Sequence, residues 1–503
     1  MPASTSHLSL QQSLLLLSQA KEQEKTGSIA TAVQLYQQAI RAYPLNPAGY
    51  QELMTLLIKR GDSANAERVF NAIPASLQPI PDRLKLLYAL LLVQQGRYPE
   101  ALPRLENLLG SAEVEAGNLC LNIGACYNLM QESGKALHYY EKAFEAGLQI
   151  PRLFKDWAGI HQQRGDVPAA EKMYAEALKR FPDDAEVLHE YAGFLLKTER
   201  YEQGFALYGH RWQSRGMKPA ELPLPEWDGK TPVGALLVLQ EQGIGDQLVY
   251  SALLPALLDK AEKVTAAFDL RLAPLLQRAY PGLDVATQNL SAADVAAHYD
   301  AYVTCADMGR FVPEAIGWQG GYLKPDAGRV ARLQARYRQR FPGKQLIGLA
   351  WSSQRATYGE MKSINLLSWR PILENPACQF ICLQYGEVEE ELRKVRDTLG
   401  VDIYRDPDID SFADLDGLAA QAHALDLVIS TSNSTAHVAA ATDAPTWVIV
   451  PAGQGLFWYW GFRESATRWY PHVRLFRARA PAEWGPVMAA VADALASHIA
   501  EST

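Results

Sequence analysis

Residues 165–182 read GDVPAAEKMYAEALKRFP, and this stretch sets the pattern for the first half of the chain. A small residue, Ala170, is followed four residues later by Tyr174 and three residues after that by Ala177. Spacings of four and three place the three side chains on one face of a helix. Gly165 stands where a turn between two helices is expected, and a proline ends the stretch. The pattern predicts the second helix of a helix pair, with a buried small-and-aromatic face.

The same pattern recurs along residues 13–212. Successive small residues are separated by 34, 35, 35, 34 and 34 residues. Such a period is typical of repeat arrays, in which stacked helix pairs bury a shared core and leave a groove for a peptide or another protein. An array that only dimerises the chain or braces the next domain is the alternative. The small residues are Ala32, Ala66, Ala101, Ala136, Ala170 and Gly204, and the turn positions before them are Gly27, Gly61, Gly96, Gln131, Gly165 and Glu199.

Composition excludes several classes of protein. The chain has 503 residues, enough for about three domains, and 48 Lys and Arg against 56 Asp and Glu give a net charge of −8. Without a basic excess, we expect no nucleic-acid partner. The five cysteines are too scattered for a disulfide framework, which favours a reducing cytoplasm. No stretch approaches the roughly 20 apolar residues of a membrane span. No Lys or Arg precedes the short run Leu14–Leu17, as one would in a signal peptide.

The second half of the chain has a different period. Four prolines in residues 213–233 mark a linker, after which short apolar runs alternate with helical patterns, as in parallel α/β sheets. We therefore predict a repeat domain at 1–212, the linker at 213–233, and two nucleotide-binding α/β lobes at 234–343 and 344–503. The expected strands are 234–240, 264–268 and 301–305 in the first lobe, and 346–351, 380–385, 401–404, 427–430 and 447–450 in the second.

The loop after the first of these strands combines glycines with an acid. Ligands of doubly wound sheets bind at the carboxyl ends of the strands, so the loops after residues 240, 351, 385 and 430 are expected to face one cleft. In the first loop, Gly243 and Gly245 allow the backbone to pass close to a ligand, and Asp246 stands in the first turn of a helix. From the residues alone, Asp246 is either a helix cap or a catalytic group.

Two loops of the second lobe suit a phosphate. Residues 430–437, STSNSTAH, gather hydroxyls and free N–H groups at a helix start, where His437 is expected to donate to the same oxygens. Ordinary capping by Ser432 or Ser434 and a structural His437 are the alternatives. Arg355 and Lys362 follow another strand, as cations for a leaving diphosphate or as solvated surface charges. The acids of 406–416 precede a helix, and we expect no metal site there.

Several stretches together resemble a known family. The first half is similar to the tetratricopeptide repeat, with about six units over residues 13–212. The stretches EQGIGDQLVYSALLPAL, LIGLAWSS, KSINLLSW, CLQYG and DLVISTSNSTAHVAAATDAPTWVIVP resemble bacterial proteins that fuse these repeats to a two-lobed GT-B glycosyltransferase. The transferase half is similar to the lipopolysaccharide heptosyltransferases, and the whole layout is similar to the protein O-GlcNAc transferases and the flagellin glycosyltransferases.

This resemblance implies roles for individual residues. In the heptosyltransferases an Asp at the position of Asp246 is the general base, and a Lys matching Lys362 contacts the donor phosphates. Ser432 and Asn433 replace a frequent Asp-Thr of that family, so the donor can differ. Gln384 and Tyr385 are expected to contact the base or ribose because they lie at the end of a second-lobe strand. The residues expected to bind the nucleotide-sugar are Gly243, Gly245, Arg355, Lys362, Gln384, Tyr385, Ser432, Asn433, Ser434, Thr435 and His437.

The resemblance also implies an activity. We expect an inverting, metal-independent glycosyltransferase of the cytoplasm that uses a nucleotide-sugar as co-substrate and no other cofactor. Its acceptor would be a Ser or Thr hydroxyl of a protein held by the repeats, with flagellin as the first candidate, and the repeats would also allow homo-oligomers. The alternatives are an inactive repeat scaffold and a transferase acting on a lipid-linked or polysaccharide acceptor. Asp246 and Lys362 favour an enzyme, and the groove favours a protein acceptor.

Overall fold

In the computed structural model of the protein, which describes residues 2–502 apart from 218–220, 288, 317–319 and 355–357, the first part of the chain forms helix pairs. The described chain contains six such pairs in succession before residue 209. The pairs are α1 Pro2–Lys25 with α2 Ile29–Ala42, α3 Pro47–Lys59 with α4 Ser63–Asn71, α5 Asp82–Gln94 with α6 Tyr98–Glu106, α7 Ala116–Leu129 with α8 Ser133–Glu145, α9 Pro151–Gln163 with α10 Val167–Arg180, and α11 Ala185–Lys197 with α12 Tyr201–Tyr208.

The turns between paired helices adopt the left-handed conformation that the period predicts. At the six predicted turn positions φ lies between 63° and 81°. Four of the six are glycines, which adopt positive φ at little cost. Gln131 and Glu199 adopt it without being glycine, so the helix pairing, and not the residue type, sets the turn. The small residues of the period are buried as expected, and the prediction of helical repeats is confirmed.

The chain divides into two units, Met1–Ile160 and His161–Thr503. The division falls inside the repeat array and not at the proline-rich segment predicted as a linker at 213–233. Its physical reason is that α12 packs into the core of the α/β part, since Tyr201 and Phe205 belong to the same buried cluster as the strand residue Leu236. Part of the predicted linker also joins the first sheet, where the Trp227 N–H donates to a strand carbonyl at 2.7 Å.

The first α/β domain is a four-stranded parallel sheet in the order β3-β2-β1-β4. The apolar stretches of β1 and β2 and the whole of β4 are buried on both faces, as expected in a parallel sheet, whereas β2 begins with exposed residues. The predicted strands are confirmed, whereas β3 is too short for its pattern to stand out. The short helix α13 Arg211–Ser214 follows the last helix pair. The elements of the first α/β domain are β1 Val233–Leu239, α14 Ile244–Ser251, α15 Leu254–Leu258, β2 Ala261–Ala267, α16 Ala273–Ala279, β3 Leu283–Val285, α17 Ala292–His298, β4 Ala301–Thr304 and α18 Met308–Phe311.

The second α/β domain is a five-stranded parallel sheet in the order β6-β5-β7-β8-β9. The strand predicted at 401–404 is wrong: within the described chain Tyr404 forms an isolated bridge to Ile381, and the chain then turns so that Asp406 reaches Tyr337. Its elements are α19 Ala327–Arg340, β5 Gln345–Ala350, α20 Gly359–Lys362, α21 Arg370–Leu373, β6 Cys378–Cys382, α22 Glu389–Leu399, α23 Leu415–His423, β7 Leu427–Thr431, α24 Ser434–Ala441, β8 Thr446–Val450, β9 Arg474–Arg477 and α25 Trp484–Ser502.

The two α/β domains contact each other through α14 and α24. Arginines hold the acidic segment 406–416 against its neighbours: Arg278 pairs with Asp416 at 2.9 Å, and Arg329 pairs with Asp414. These acids therefore act in ion pairs as well as at the start of α23. The five cysteines are buried and free. Among the helices that the structure describes, none has the length and apolar character to cross a bilayer.

Candidate functional site

A cavity of about 370 Å³ lies where the carboxyl ends of β1, β5, β6 and β7 come together. Nine of the twelve residues predicted for the site line it, although they come from four separate loops. Gln242, Ile244, Ser353 and Tyr459 also line the cavity and were not predicted. The nine predicted lining residues are Gly243, Gly245, Asp246, Lys362, Tyr385, Ser432, Asn433, Ser434 and His437.

The glycine loop places Asp246 at the third position of α14. The carboxylate is 6% exposed, and its Oδ2 accepts a hydrogen bond from the Gly243 N–H at 3.1 Å. This is the reciprocal contact of a capping box, so Asp246 acts in the cap from inside the helix and not as the N-cap residue. Because the carboxylate also lines the cavity, capping and chemistry are compatible at this residue.

Gly245 allows α14 to approach α24 closely. A Cβ at this position would lie 3.1 Å from Cδ2 of His437, tighter than ordinary van der Waals contact. The left-handed residue of the loop is Gln242, with φ 65°, and not one of the two glycines. Gly245 thus leaves room for the close contact between α14 and α24, a reason that the sequence pattern did not reveal.

The start of α24 is capped by Asn433. Its Oδ1 accepts from the Ala436 N–H at 3.2 Å, and its Nδ2 donates to the Ser352 carbonyl at 3.0 Å. The predicted alternative, capping by Ser432 or Ser434, is wrong because the amide serves both the helix and the neighbouring loop. Ser432 instead accepts a hydrogen bond from the indole N–H of Trp460 at 2.8 Å.

His437 is enclosed by aromatic side chains in the first turn of α24. Its ring stacks on Trp460 with centroids 5.2 Å apart, and its Nδ1 lies 3.0 Å from the Tyr470 hydroxyl. Burial, and to a smaller extent the positive charge of Lys362, lower the pKa of His437 to about 3. The imidazole is therefore neutral at physiological pH.

Lys362 brings a cation into the cavity from the end of α20. The side chain is 5% exposed, so it is not the solvated surface charge that the sequence left as an alternative. Its Nζ lies 4.7 Å from the ring centroid of Phe457, a cation–π distance. Next to Lys362, the Ser363 hydroxyl accepts a hydrogen bond from the Ser353 N–H at 3.0 Å.

The other three predicted residues have different outcomes. Gln384 is buried, and its Oε1 accepts from the N–H groups of Trp351 and Ser352, both at 2.9 Å, so it shapes the loop instead of lining the cavity. The Thr435 hydroxyl is also buried, and it donates to the backbone carbonyl of Leu383 at 3.4 Å. Arg355 lies outside the described residues.

Arg211 is a buried residue that the sequence reasoning did not assign to the site. Its guanidinium donates to both oxygens of Asp307 at 2.7 Å, and to the two oxygens of Glu241 at 3.0 and 2.5 Å. Since Glu241 begins the glycine loop, this ion pair connects the last repeat to the loop of Asp246. One sequence feature could have identified it. Arg211 lies seven residues after the small residue of its repeat, a position that is apolar in the other five repeats.

The cavity combines three chemically different groups. Asp246 offers a carboxylate, Lys362 an ammonium, and the start of α24 a set of hydroxyl and N–H groups. Such a set can take a proton from a hydroxyl on one side and stabilise an anion on the other. Within the described part of the chain, no cluster of three or more His, Cys, Asp or Glu side chains is arranged to hold a metal ion.

Comparisons with known proteins identify a tetratricopeptide repeat and a distant relative that matches most of the chain. Residues 151–194 match the family model for the tetratricopeptide repeat. The chain is 28% identical to Protein FlbA of Caulobacter vibrioides over 498 residues, which cover 94% of this chain and 82% of that protein.

Solved structures give weaker likenesses. A tetratricopeptide repeat protein from Parabacteroides merdae is 18% identical, covering 42% of this chain and 82% of its own, with a TM-score of 0.36. PilW, described as a type IV pilus biogenesis factor, is 16% identical, covering 41% of this chain and 94% of its own, with a TM-score of 0.37. The chain thus contains a tetratricopeptide repeat followed by two parallel-sheet α/β domains.

Proposed function

We propose that the protein is an inverting glycosyltransferase of the GT-B type, whose two Rossmann-like lobes are the two α/β domains. The observation that supports this best is the meeting of nine predicted residues in one cavity, with the Asp246 carboxylate, the Lys362 ammonium and the start of α24 around it. Most of these residues are singled out by their loops alone, and the resemblance to heptosyltransferases adds the roles of Asp246 and Lys362. Their convergence is expected of a nucleotide-sugar site.

In the proposed reaction, an acceptor hydroxyl attacks the anomeric carbon of a nucleotide-sugar. Asp246 takes the proton of that hydroxyl, and the bond between the anomeric carbon and the phosphate oxygen breaks with its electron pair on the oxygen. Lys362 and the N–H groups at the start of α24 stabilise the resulting anion. Attack from the face opposite the leaving group inverts the configuration. The chemistry requires no metal or other cofactor.

The proposed acceptor is a protein bound by the repeats, with flagellin as the first candidate and the cytoplasm as the compartment. Tetratricopeptide repeats typically mediate contacts between proteins, which favours a protein over a glycan acceptor. The buried pair of Arg211 with Glu241 adds a reason to expect that repeats and transferase act together, because it ties the last repeat to the loop of Asp246.

The test is the intact mass of flagellin co-expressed with the protein. We expect wild type to add the mass of one or more sugar residues, and Lys362→Met to add far less because it removes the cation for the leaving phosphate. Lys263→Met is the matched control, since Lys263 is 58% exposed and pairs with an exposed acid. Unmodified flagellin with wild-type protein would contradict this acceptor, and equal modification by both lysine variants would contradict the role of Lys362.

A further inference from the structure

A chain of three hydrogen bonds runs from His437 into the first α/β domain. Its Nδ1 lies 3.0 Å from the hydroxyl oxygen of Tyr470, which in turn lies 3.2 Å from the hydroxyl oxygen of Tyr322. The Tyr322 hydroxyl donates to the backbone carbonyl of Leu248 at 2.9 Å. Tyr470 and His437 are buried, and burial raises the pKa of both tyrosines, so their hydroxyls are neutral.

Counting protons fixes the direction of this chain. Three contacts need three protons, and the Leu248 carbonyl at the end can only accept. Tyr322 uses its single proton on Leu248, so the proton between the two tyrosines must come from Tyr470. Tyr470 then has no proton left for His437. The third proton is therefore on Nδ1 of His437, which donates to the oxygen of Tyr470.

The tautomer determines what the other ring nitrogen can do. A neutral imidazole with its proton on Nδ1 has an unprotonated Nε2, which is an acceptor only. The low pKa of His437 agrees with this, because the ring does not gain a second proton near pH 7. No hydrogen bond to Nε2 is found among the described residues, although the side chain is 2% exposed and lines the cavity.

An acceptor nitrogen limits the choice of ligand group. The oxygens of an ionised diphosphate carry no protons, so they cannot satisfy Nε2, and the expected donation from His437 to phosphate does not fit this tautomer. A sugar hydroxyl does carry a proton. His437 stands between the start of α24, on the phosphate side, and Gly245, next to the proposed base Asp246. In the proposed reaction the sugar occupies the space between those two groups.

We propose that Nε2 of His437 accepts a hydrogen bond from a hydroxyl of the transferred sugar and so helps to select the donor. The tautomer follows from the proton count whatever the protein does, whereas the identity of the hydroxyl rests on the function proposed above. His437 acts in this account as a neutral acceptor that orients the sugar. It does not take the proton of the acceptor hydroxyl, a role that remains with Asp246.

The tautomer can be measured directly by ¹⁵N NMR on full-length protein labelled at histidine nitrogen. His437→Asn identifies the signals, because they disappear in that variant. We expect Nδ1 to show a pyrrole-type resonance coupled to a proton and Nε2 to show a pyridine-type resonance. The opposite assignment, or a doubly protonated ring at pH 7, overturns the proposal. This readout needs no substrate and is independent of any enzyme activity.

The ligand can be tested in the same spectra. The probes are UDP-glucose, UDP-N-acetylglucosamine, GDP-mannose and CMP-N-acetylneuraminate, each compared with its nucleotide alone. We expect at least one nucleotide-sugar to shift the Nε2 resonance upfield while its free nucleotide does not. An equal shift with the nucleotide alone, or binding without a shift, overturns the sugar contact. Failure of every probe to bind overturns the sugar contact and argues against the proposed function, yet leaves the measured tautomer in place.

Two variants separate the roles of the ring nitrogens. Asn places an amide near Nδ1 and keeps the donor to Tyr470, but it removes Nε2. Gln reaches toward the Nε2 position with an amide oxygen. We expect His437→Asn to weaken nucleotide-sugar binding about tenfold, with nucleotide binding unchanged, and His437→Gln to recover part of the loss. Equal weakening of both ligands by His437→Asn would indicate a purely structural histidine and overturn the proposal.

Discussion

Arg211→Met should destabilise the unit His161–Thr503 far more than the loss of a surface arginine. The side chains of Arg211, Glu241 and Asp307 are 1%, 9% and 4% exposed. Burial raises the pKa of Asp307, but hydrogen bonds from Arg211 and its charge outweigh burial, so the pKa lies below its ordinary value. Without the arginine, two buried carboxylates would face each other with no counter-ion. Breaking a buried pair in this way costs about 3–5 kcal/mol.

The assay is urea unfolding with hydrogen exchange at the glycine loop as a local readout. Arg370→Met is the control, because Arg370 and its partner Glu374 are 63% and 47% exposed and such a pair contributes at most about 1 kcal/mol. Adding Asp307→Leu and Glu241→Gln to Arg211→Met should restore part of the stability, since it removes the uncompensated charges. A loss no larger than that of Arg370→Met would refute the reasoning.

Three further predictions concern residues that line the cavity or support its loops. Gly245→Ala should cost about 1–3 kcal/mol, since its Cβ would press on His437, which the Tyr470 hydrogen bond and the Trp460 stack hold in place. Gln384→Leu should lower the free energy of unfolding by about 1–3 kcal/mol for each of the two backbone N–H groups left unpaired, as urea titration will measure. The ¹⁵N resonances of His437 should stay constant from pH 8 to about pH 5, because its pKa is about 3.

Controls and contrary outcomes are available for each of these. Gly193→Ala is the matched control for Gly245, as its Cβ would meet open space in a helix and should stabilise by up to about 1 kcal/mol. If the Gly245→Ala protein were as stable as that control, α24 would be able to shift away from the added Cβ at little energetic cost. Unchanged stability in Gln384→Leu would mean that the two N–H groups find other partners.

The low pKa of His437 also determines how the stability of the protein changes with pH. The unfolded chain protonates His437 below its ordinary pKa of 6.5, whereas the folded chain resists protonation down to about 3. Stability from this residue is therefore fully present above pH 6.5 and falls as the pH drops between those values. A ring that titrates near 6.5 in the folded protein would contradict the burial described here.

The repeat register was predictable because it depends on local spacing. Small residues at a fixed period mark the helix faces that stacked repeats bury, and even the turns at Gln131 and Glu199 follow the register. The loops of the cavity were also predictable, because parallel strands bring their carboxyl ends together. Nine site residues therefore meet as expected.

The remaining features depend on partners far away in sequence. Arg211 acquires its role from Asp307, 96 residues later, and nothing near Arg211 signals that partner. The cap of α24 is Asn433 because its amide also reaches Ser352, a contact across 81 residues. Gly245 looks like a ligand-binding glycine, yet its closest constraint is His437 in the other domain. Local patterns cannot distinguish these cases.

The most direct test of the central claim is the single-turnover rate of sugar transfer by Asp246→Asn relative to wild type. Asn keeps an oxygen for the Gly243 N–H, so the fold of the loop should be retained, but it cannot act as an effective general base. We predict a rate lower by about 10²- to 10⁴-fold, with donor and acceptor affinities largely unchanged. Transfer by Asp246→Asn at the wild-type rate would contradict the account and leave Asp246 as a capping residue only.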